Sequence, residues 1–552
     1  MNPRRTSLLL VALALLLAVA GCGGCKGSET PAREASPLAF LPRQPQGVVH
    51  VPDLARLGQT VGTLQKTRLA ELAAAAYGAK ETEQLVAPLV RELGFDPRTA
   101  EGLAAAGIDG GRGLAAASDE QGAQLLVVGI ADAGRFEAWV AGVAKKLGAA
   151  RRGTESWRPT PPPGMEVAPA EAVDVNTFAT ADGAVRIAFA TRDGFALVGS
   201  GEAAVDAVGR ALTLPWERSL ASDPVWRKMG GKLGQRDLTV WLPSGAKLGN
   251  RRGTQFEKGL ALGFTASAKG INARALVPRG PIELAVLSPA GKAAGGELVP
   301  LLPPGDFLAL RLGGEPQALQ PVIEGMLPRG LFVRLKRAGI DPAAEILGQL
   351  QPGIVVGLGL NPEIDLSAGI PMDARVSSTN PFRFVNTTLY AKVKDPARAA
   401  SVLEKLAAGA HHFAMEVDRE ERDGATIYRA RYAAGEGMSW TLRGDTLVAT
   451  GGAGQLDKAL ARLATKDAPA FTVVEPSAKQ VFESSASAAH LDMPRLTAAL
   501  RAIPESAYGV GGFRIKAIVE TWVGLLDEVK GVTASFSVDD EGLVVDADLG
   551  LK

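Results

Sequence analysis

The sequence predicts an α+β chain of two similar lobes. Each is a largely antiparallel sheet in strand-helix-meander-helix order, with helices packed on one face. Three observations predict this: Asp-Gly pairs between short apolar runs, an Asp at each strand-to-helix junction, and a return of the pattern at offsets of 261 (Pro42 to Pro303), 263 (Asp132 to Asp395) and 251 (Asp206 to Asp457). Asp-Gly between alternating apolar runs is the strongest short hairpin signal, because both central turn positions need positive φ. An Asp ahead of a helical pattern offers an oxygen to the first unpaired N–H groups. Strands joined by tight turns build antiparallel sheet, and helices then cover it.

The first lobe opens with Leu38-Ala-Phe-Leu-Pro42 and Gly47-Val-Val-His-Val51, the second with Leu298-Val-Pro-Leu-Leu-Pro303 and Phe307-Leu-Ala-Leu310. Each then carries a Gly-apolar-Asp-Pro step, Gly94–Pro97 and Gly339–Pro342. A strand and a helix follow: Leu125–Ile130 with Ala133–Leu147, and Thr387–Val393 with Pro396–Leu406. Asp132 and Asp395 stand at the two junctions as expected N-caps, and Pro396 suits the first helical position. In both helices, apolar spacing of three and four predicts one buried stripe.

The first meander reads as Thr177–Thr180, Ala184–Phe189 and Phe195–Val198, turning at Asp182-Gly183 and Asp193-Gly194. Its counterpart reads as His412–Val417, Thr426–Tyr432, Ser439–Leu442 and Thr446–Ala449, turning at Asp423-Gly424 and Gly444-Asp445. A short helix closes each, Glu202–Leu212 and Gly454–Leu463. The expected lobes are residues 38–287 and 298–552, joined by the Pro/Gly/Ala-rich linker 288–297. Two unrelated α+β domains are the alternative.

Met1–Gly27 has a different character. Arg4 and Arg5 precede an apolar run from Leu8 to Ala20, and Val19-Ala20-Gly21 leads into Cys22. This is the layout of a secretory signal, and the run falls short of the ~20 apolar residues a spanning helix needs. The segment resembles the signal of bacterial lipoproteins, in which a Val/Leu-small-Gly-Cys box marks the cysteine that is diacylated and becomes the mature N-terminus. That resemblance implies residues 1–21 as signal peptide, lipid on Cys22, and 22–37 as a flexible tether. Gly23 follows the cysteine where inner-membrane retention usually has Asp. The resemblance therefore implies the outer membrane of a two-membrane cell. The Leu-Pro openings, the Gly-x-Asp-Pro step and the Asp-x-x-Leu helices also resemble an uncharacterised family of exported bacterial proteins with repeated units. Leu41-Pro42-Arg43-Gln44 and Leu302-Pro303-Pro304-Gly305 depart from that family's Leu-Pro-Ala-Asp-Thr opening, and it supplies a fold expectation but no active site.

The chain has 552 residues, 46% hydrophobic and 22% charged, with a formal net charge of +1. Loss of Arg4 and Arg5 with the signal leaves −1, so no basic excess points to nucleic acid. Cys22 and Cys25 are the only cysteines. With Cys22 acylated, Cys25 has no intrachain partner. Two thiols at a tethered terminus fall short of the four ligands zinc takes.

The remaining constellations read as structure. Adjacent His411 and His412 on a strand would point to opposite faces, so they do not chelate together. His50 and His490 share a strand-into-helix setting. Gly199-Ser200-Gly201 is too short for a nucleophile elbow. Gly107–Gly113 and Gly509–Gly512 lack the Gly-Lys-Ser/Thr of a phosphate loop, and Gly451–Gly454 reads as a strand turn. Asp418–Asp423 and Asp539–Glu541 read as solvated charge at hairpin ends, and the seven tryptophans are dispersed. No catalytic, cofactor or metal residues emerge. The expected role is structural or protein-binding, with a carrier of lipid or another apolar ligand as one alternative and a hydrolase with an unrecognised site as another.

Overall fold

A computed structural model describes residues 36–68, 70–71, 74, 78–118, 123–159, 171–244, 246–247, 255–256, 259–267, 269–278, 294–320, 333, 336, 339–361, 384–410, 416–432, 435–465, 469–509, 512–539 and 542–552. The signal, Cys22, Cys25, His411, His412, Asp540, Glu541 and most of the expected tether and linker lie outside them. The chain is α+β and divides into two compact units, Met1–Pro278 and Arg279–Lys552.

The first unit runs β1 (Gly47–Val51), α1 (Leu54–Leu64), α2 (Glu83–Leu93), α3 (Ala100–Ala105), β2 (Leu114–Ser118), β3 (Gln124–Gly129) and α4 (Ala133–Lys146). It continues with β4 (Ala150–Trp157), β5 (Val173–Ala179), β6 (Arg186–Arg192), β7 (Phe195–Ser200), α5 (Ala204–Leu212), α6 (Pro224–Leu233) and β8 (Leu238–Leu242). A small hairpin, β9 (Ala246–Lys247) and β10 (Gln255–Phe256), precedes β11 (Leu260–Ser267) and β12 (Gly270–Pro278). The main sheet is antiparallel throughout, in the order β12-β11-β8-β1-β2-β3-β7-β6-β5-β4.

The second unit runs β13 (Leu308–Leu312), β14 (Ile354–Leu360), β15 (Val385–Lys392), α7 (Pro396–Gly409), β16 (Glu416–Arg422), β17 (Ala425–Tyr432), β18 (Gly435–Arg443) and β19 (Thr446–Gly451). Then come α8 (Gln455–Ala464), α9 (Pro476–Ser484), β20 (Ser487–Asp492), α10 (Met493–Ala502), α11 (Gly512–Leu526), β21 (Val529–Val538) and β22 (Gly542–Leu551). Its sheet is antiparallel in the order β22-β21-β20-β13-β14-β15-β19-β18-β17-β16. Position for position, this is the order of the first unit.

The expected caps form. Asp132 Oδ1 accepts from the Arg135 N–H at 3.0 Å, and Asp395 Oδ1 accepts from Ala397 and Arg398 at 3.0 and 3.1 Å. Asp193-Gly194 and Asp423-Gly424 hold positive φ at both residues, as their hairpins demand. Asp182-Gly183 does not: only Gly183 is left-handed, and Asp182 instead accepts from the Ala184 N–H at 3.0 Å in a wider turn. Both Leu-Pro openings wind into 3-10 turns, Pro37–Phe40 and Gly296–Leu301, each followed by a fully buried leucine, Leu41 or Leu302.

Two expectations need correction. Helices cover both faces of each sheet, not one. Successive side chains of a strand point to opposite faces. Leu126 and Val128 of β3 join a core with Phe136 and Val140 of α4, whereas Leu125 and Val127 join another with Ala204 and Val208 of α5. In the second unit Tyr390 and Ile427 pack with Leu456 of α8, while Tyr428 packs with Leu403 of α7. The unbroken apolar run Leu125-Leu-Val-Val128 is what a strand covered on both faces requires. The second correction concerns strands absent from the sequence-based expectation, β2, β4, β8 to β12, β14, β21 and β22. Of these, β4 pairs with β5 as an edge strand, and its Arg151, Arg152, Thr154, Glu155 and Ser156 are exposed.

Candidate functional site

The strongest gathering of perturbed polar groups lies in the core of the second unit. The turn Pro303-Pro304-Gly305-Asp306 folds back when the Asp306 N–H donates to the Pro303 carbonyl at 3.1 Å. This puts the Asp306 carboxyl over β14, where only 4% of the residue is exposed and Oδ2 has no hydrogen-bond partner. Burial pushes its pKa up to about 7 against the opposing pull of Arg462 and Arg495. Glycines at 357 and 359 leave the room it occupies: a Cβ at either position would run into the carboxylate.

The surrounding cations are committed elsewhere. Arg462 of α8 donates to the carbonyls of Leu301 and Leu302, both at 2.9 Å, and so ties the helix to the opening turn. Arg495 of α10 donates to the Thr472 carbonyl at 2.9 Å, pairs with Asp492 at 3.4 Å and lies over the Phe471 ring at 4.6 Å. Tyr390 of β15 donates to the Ala459 carbonyl at 3.4 Å, and burial raises its phenol above the ordinary range. His490 of β20 sits 2.8 Å from Thr533 Oγ1, and burial lowers its imidazole. A neutral carboxyl in low dielectric costs far less than an ionised one without a partner. This arrangement holds a proton inside the core near neutral pH.

Further along the same sheet, the buried Arg311 of β13 reaches the end of α9. Its Nη2 donates to the Phe482 carbonyl at 2.5 Å, to Glu483 at 3.3 Å and to Ser485, with the guanidinium 5.6 Å from the Phe482 ring centre. A cation at a helix C-terminus meets carbonyls that have no helical partner. In the first unit, Arg56 of α1 pairs with the buried Asp237 at 2.6 Å. Burial beside Trp226, whose ring centre is 6.2 Å away, drives His50 down to about 4. A void of about 20 Å3 lies among Leu54, Leu93, Phe95, Leu103, Leu126 and Trp139. It has room for about one water-sized sphere and offers no polar partner, which is far from an acyl chain's requirement.

The motifs of the sequence are dispersed over these units. His50 lies on β1 and His490 on β20, which occupy different places in the shared strand order. Ser200 ends β7 as a buried residue, and a Cβ at Gly199 would press on the Ala204 carbonyl at 2.6 Å. Asp109 within Gly107–Gly113 accepts from the Gly111 N–H at 3.0 Å, a turn contact. Gly451–Gly454 forms the entry to α8, with Gly452 and Gly454 left-handed. Asp418–Asp423 lies mainly along β16, an exposed edge strand rather than a hairpin end, and is laced with Arg partners such as Arg431 on Asp418 at 2.5 Å. Two tryptophans thought dispersed come together: Trp226 and Trp241 have ring centres 5.4 Å apart. Among the described residues, no three His, Cys, Asp or Glu side chains stand close enough to hold a metal ion.

No protein-family model, curated protein or solved structure matches this chain. Asp306, Arg311, Arg462 and Arg495 carried no mark in the sequence, since the contacts that bring them together are mostly distant along the chain. The Gly357-Leu-Gly359 spacing in β14 was the one legible hint, because glycine within a strand signals close approach by another group.

Proposed function

We propose that this chain is an envelope lipoprotein of structural or protein-binding role, anchored to a bilayer by a diacylglycerol thioether on Cys22. The observation that carries the reading is the run Leu8–Ala20 ending in Val19-Ala20-Gly21-Cys22. A thiol is the nucleophile such an acyl transfer needs. Among the described residues no helix is long and apolar enough to cross a membrane, so attachment rests on lipid, at ~0.8 kcal/mol per buried methylene. Gly23, in place of the Asp that usually marks inner-membrane retention, supports the outer membrane of a two-membrane cell.

The body is proposed to be a duplicated pair of lobes. Its support is the coincidence of two ten-strand antiparallel orders, with α4 and α7 after the third strand of each unit and α5 and α8 after the seventh. A sheet covered on both faces and held by buried ionic caps suits a rigid ectodomain that presents surface. The reading is tested by detergent-phase partition of the expressed chain. Native protein is expected in the detergent phase and the Cys22→Ser chain in the aqueous phase, and equal partition of the two would contradict it.

A further inference from the structure

The two units share a strand order, and their registers correspond. The offset of 261 that carries Pro42 to Pro303 also carries Leu41 to Leu302, Pro45 to Asp306 and Val48 to Ala309. Val48 stands opposite Ala117 across β1 and β2, as Ala309 stands opposite Gly357 across β13 and β14. Two positions along, Ala115 stands opposite Val127, as Val355 stands opposite Tyr390. The offset of 251 that carries β7 onto β19 carries Ala211 of α5 to Arg462 of α8.

Four positions of one neighbourhood therefore differ in kind. The first unit fills them with Pro45, Ala117, Val127 and Ala211, all buried or packed against its core. The second fills them with Asp306, Gly357, Tyr390 and Arg462. The exchanges are linked, because the Asp306 carboxyl occupies the space that a Cβ at 357 would take. Leu41 and Leu302 are both fully buried, so the opening turns are seated alike. What differs is the fastening.

The fastening of the second turn depends on a proton. Asp306 Oδ2 accepts no hydrogen bond, and burial holds the carboxyl up at about 7. The groups that act on it are Arg462 of α8, then Arg495 of α10, with Tyr390 coupled to it from β15. β14 presents only glycine and apolar residues. On β20, His490 is engaged by Thr533 and Asp492 by Arg495, and on the opening turn Glu297 acts on Arg311. Both nearby arginines give hydrogen bonds to backbone carbonyls, Arg462 to Leu301 and Leu302 and Arg495 to Thr472. An ionised Asp306 must draw a guanidinium off those carbonyls or leave the core. The turn has space to move, since a Cβ at Gly305 would meet nothing within 4 Å.

We propose that Pro303–Asp306 is a proton-operated latch. With Asp306 neutral, the turn rests on β14 and Leu302 stays in the core. When Asp306 gives its proton to water, the carboxylate swings out toward solvent and Arg462. The Arg462 bonds to Leu301 and Leu302 then part, and residues 296–306 come away from β14 and α8. The first unit, with Pro45 in the corresponding place, has no such release.

Hydrogen exchange of the full chain, read by mass spectrometry and corrected for the intrinsic rate, tests this. Protection of residues 296–306 should fall about tenfold per pH unit from pH 5 to pH 7 and then level off, as an opening that sheds one proton requires. Protection of residues 36–41 should not fall over that range. Urea well below the unfolding midpoint should leave exchange at 296–306 unchanged while speeding that of β15 and β19, the mark of a local opening. Asp306→Asn should make the 296–306 profile level. Asp306→Ala/Gly357→Ala, which gives the second unit an apolar contact of the first unit's kind, should do the same and covers a failure of the Asn variant to fold. A level profile in the parent, or an equal fall in either variant, would overturn the proposal. So would exchange at 296–306 that follows β15 and β19 in urea, since the proton would then act on global unfolding alone.

Discussion

Gly357 of β14 lies directly beneath the Asp306 carboxylate, and a Cβ at 357 would collide with Oδ2 and crowd the Leu302 side chain. The glycine is what allows a carboxyl group to sit inside an apolar core. Gly357→Ala is therefore expected to destabilise the chain by about 1–3 kcal/mol, as overpacking does, measured by urea unfolding. Restored stability in the Gly357→Ala/Asp306→Ala double variant would identify the collision as the cause.

The same carboxyl couples stability to pH. Its folded pKa of about 7 stands above the unfolded value, so between the two the folded chain keeps a proton that the unfolded chain has shed. The stability this supplies is fully present below about pH 4 and is lost as pH rises through 7. His50, driven down to about 4, acts in the opposite sense: its contribution is lost as pH falls from 6.5 toward 4. Asp306→Asn keeps the shape and removes the titration. Its stability relative to the parent should rise between pH 5 and pH 8, by an amount on the order of a few kcal/mol. Parallel pH profiles for the two proteins would contradict the assignment.

Arg311 closes the end of α9 from a strand 171 residues away. Arg311→Ala leaves those carbonyls without their donor and opens a cavity, a combined cost of about 3–5 kcal/mol. Arg311→Lys retains the charge and loses the fork, so its cost should be intermediate. Equal stability of all three proteins by denaturant melting would show the contact to be idle.

Part of this frame was legible in the sequence, and the gaps have physical causes. Asp132 and Asp395 announced their helices because capping is local, and Asp193-Gly194 and Asp423-Gly424 announced hairpins because few other residues tolerate those dihedrals. β4 went unread because Arg151-Arg-Gly-Thr-Glu-Ser156 makes an edge strand with little apolar burial to alternate. The second helical layer went unread although Leu125–Val128 encodes it, since an apolar run does not say what covers it. Asp306, Arg311 and Arg495 were invisible for another reason: their burial depends on strand neighbours fixed only by the complete fold.

Two Asp-Gly hairpins, β6–β7 in the first unit and β16–β17 in the second, offer a comparison although they fall at different places in the strand order. Gly194→Ala and Gly424→Ala both force a Cβ into left-handed backbone, at ~1–2 kcal/mol each. Gly424 has open space around it, whereas a Cβ at Gly194 would displace the Arg112 guanidinium, which donates to the Asp193 carbonyl at 3.2 Å. Thermal melts should rank Gly194→Ala as the more damaging change, and the reverse ranking would contradict the turn geometry.

The lipid anchor at position 22 is decided by the mass of the N-terminal peptide of the mature, membrane-extracted protein. The expected peptide begins at Cys22 and carries a diacylglyceryl group on its sulfur. A mature chain that begins at any other residue, or a Cys22 of unmodified mass, would contradict it.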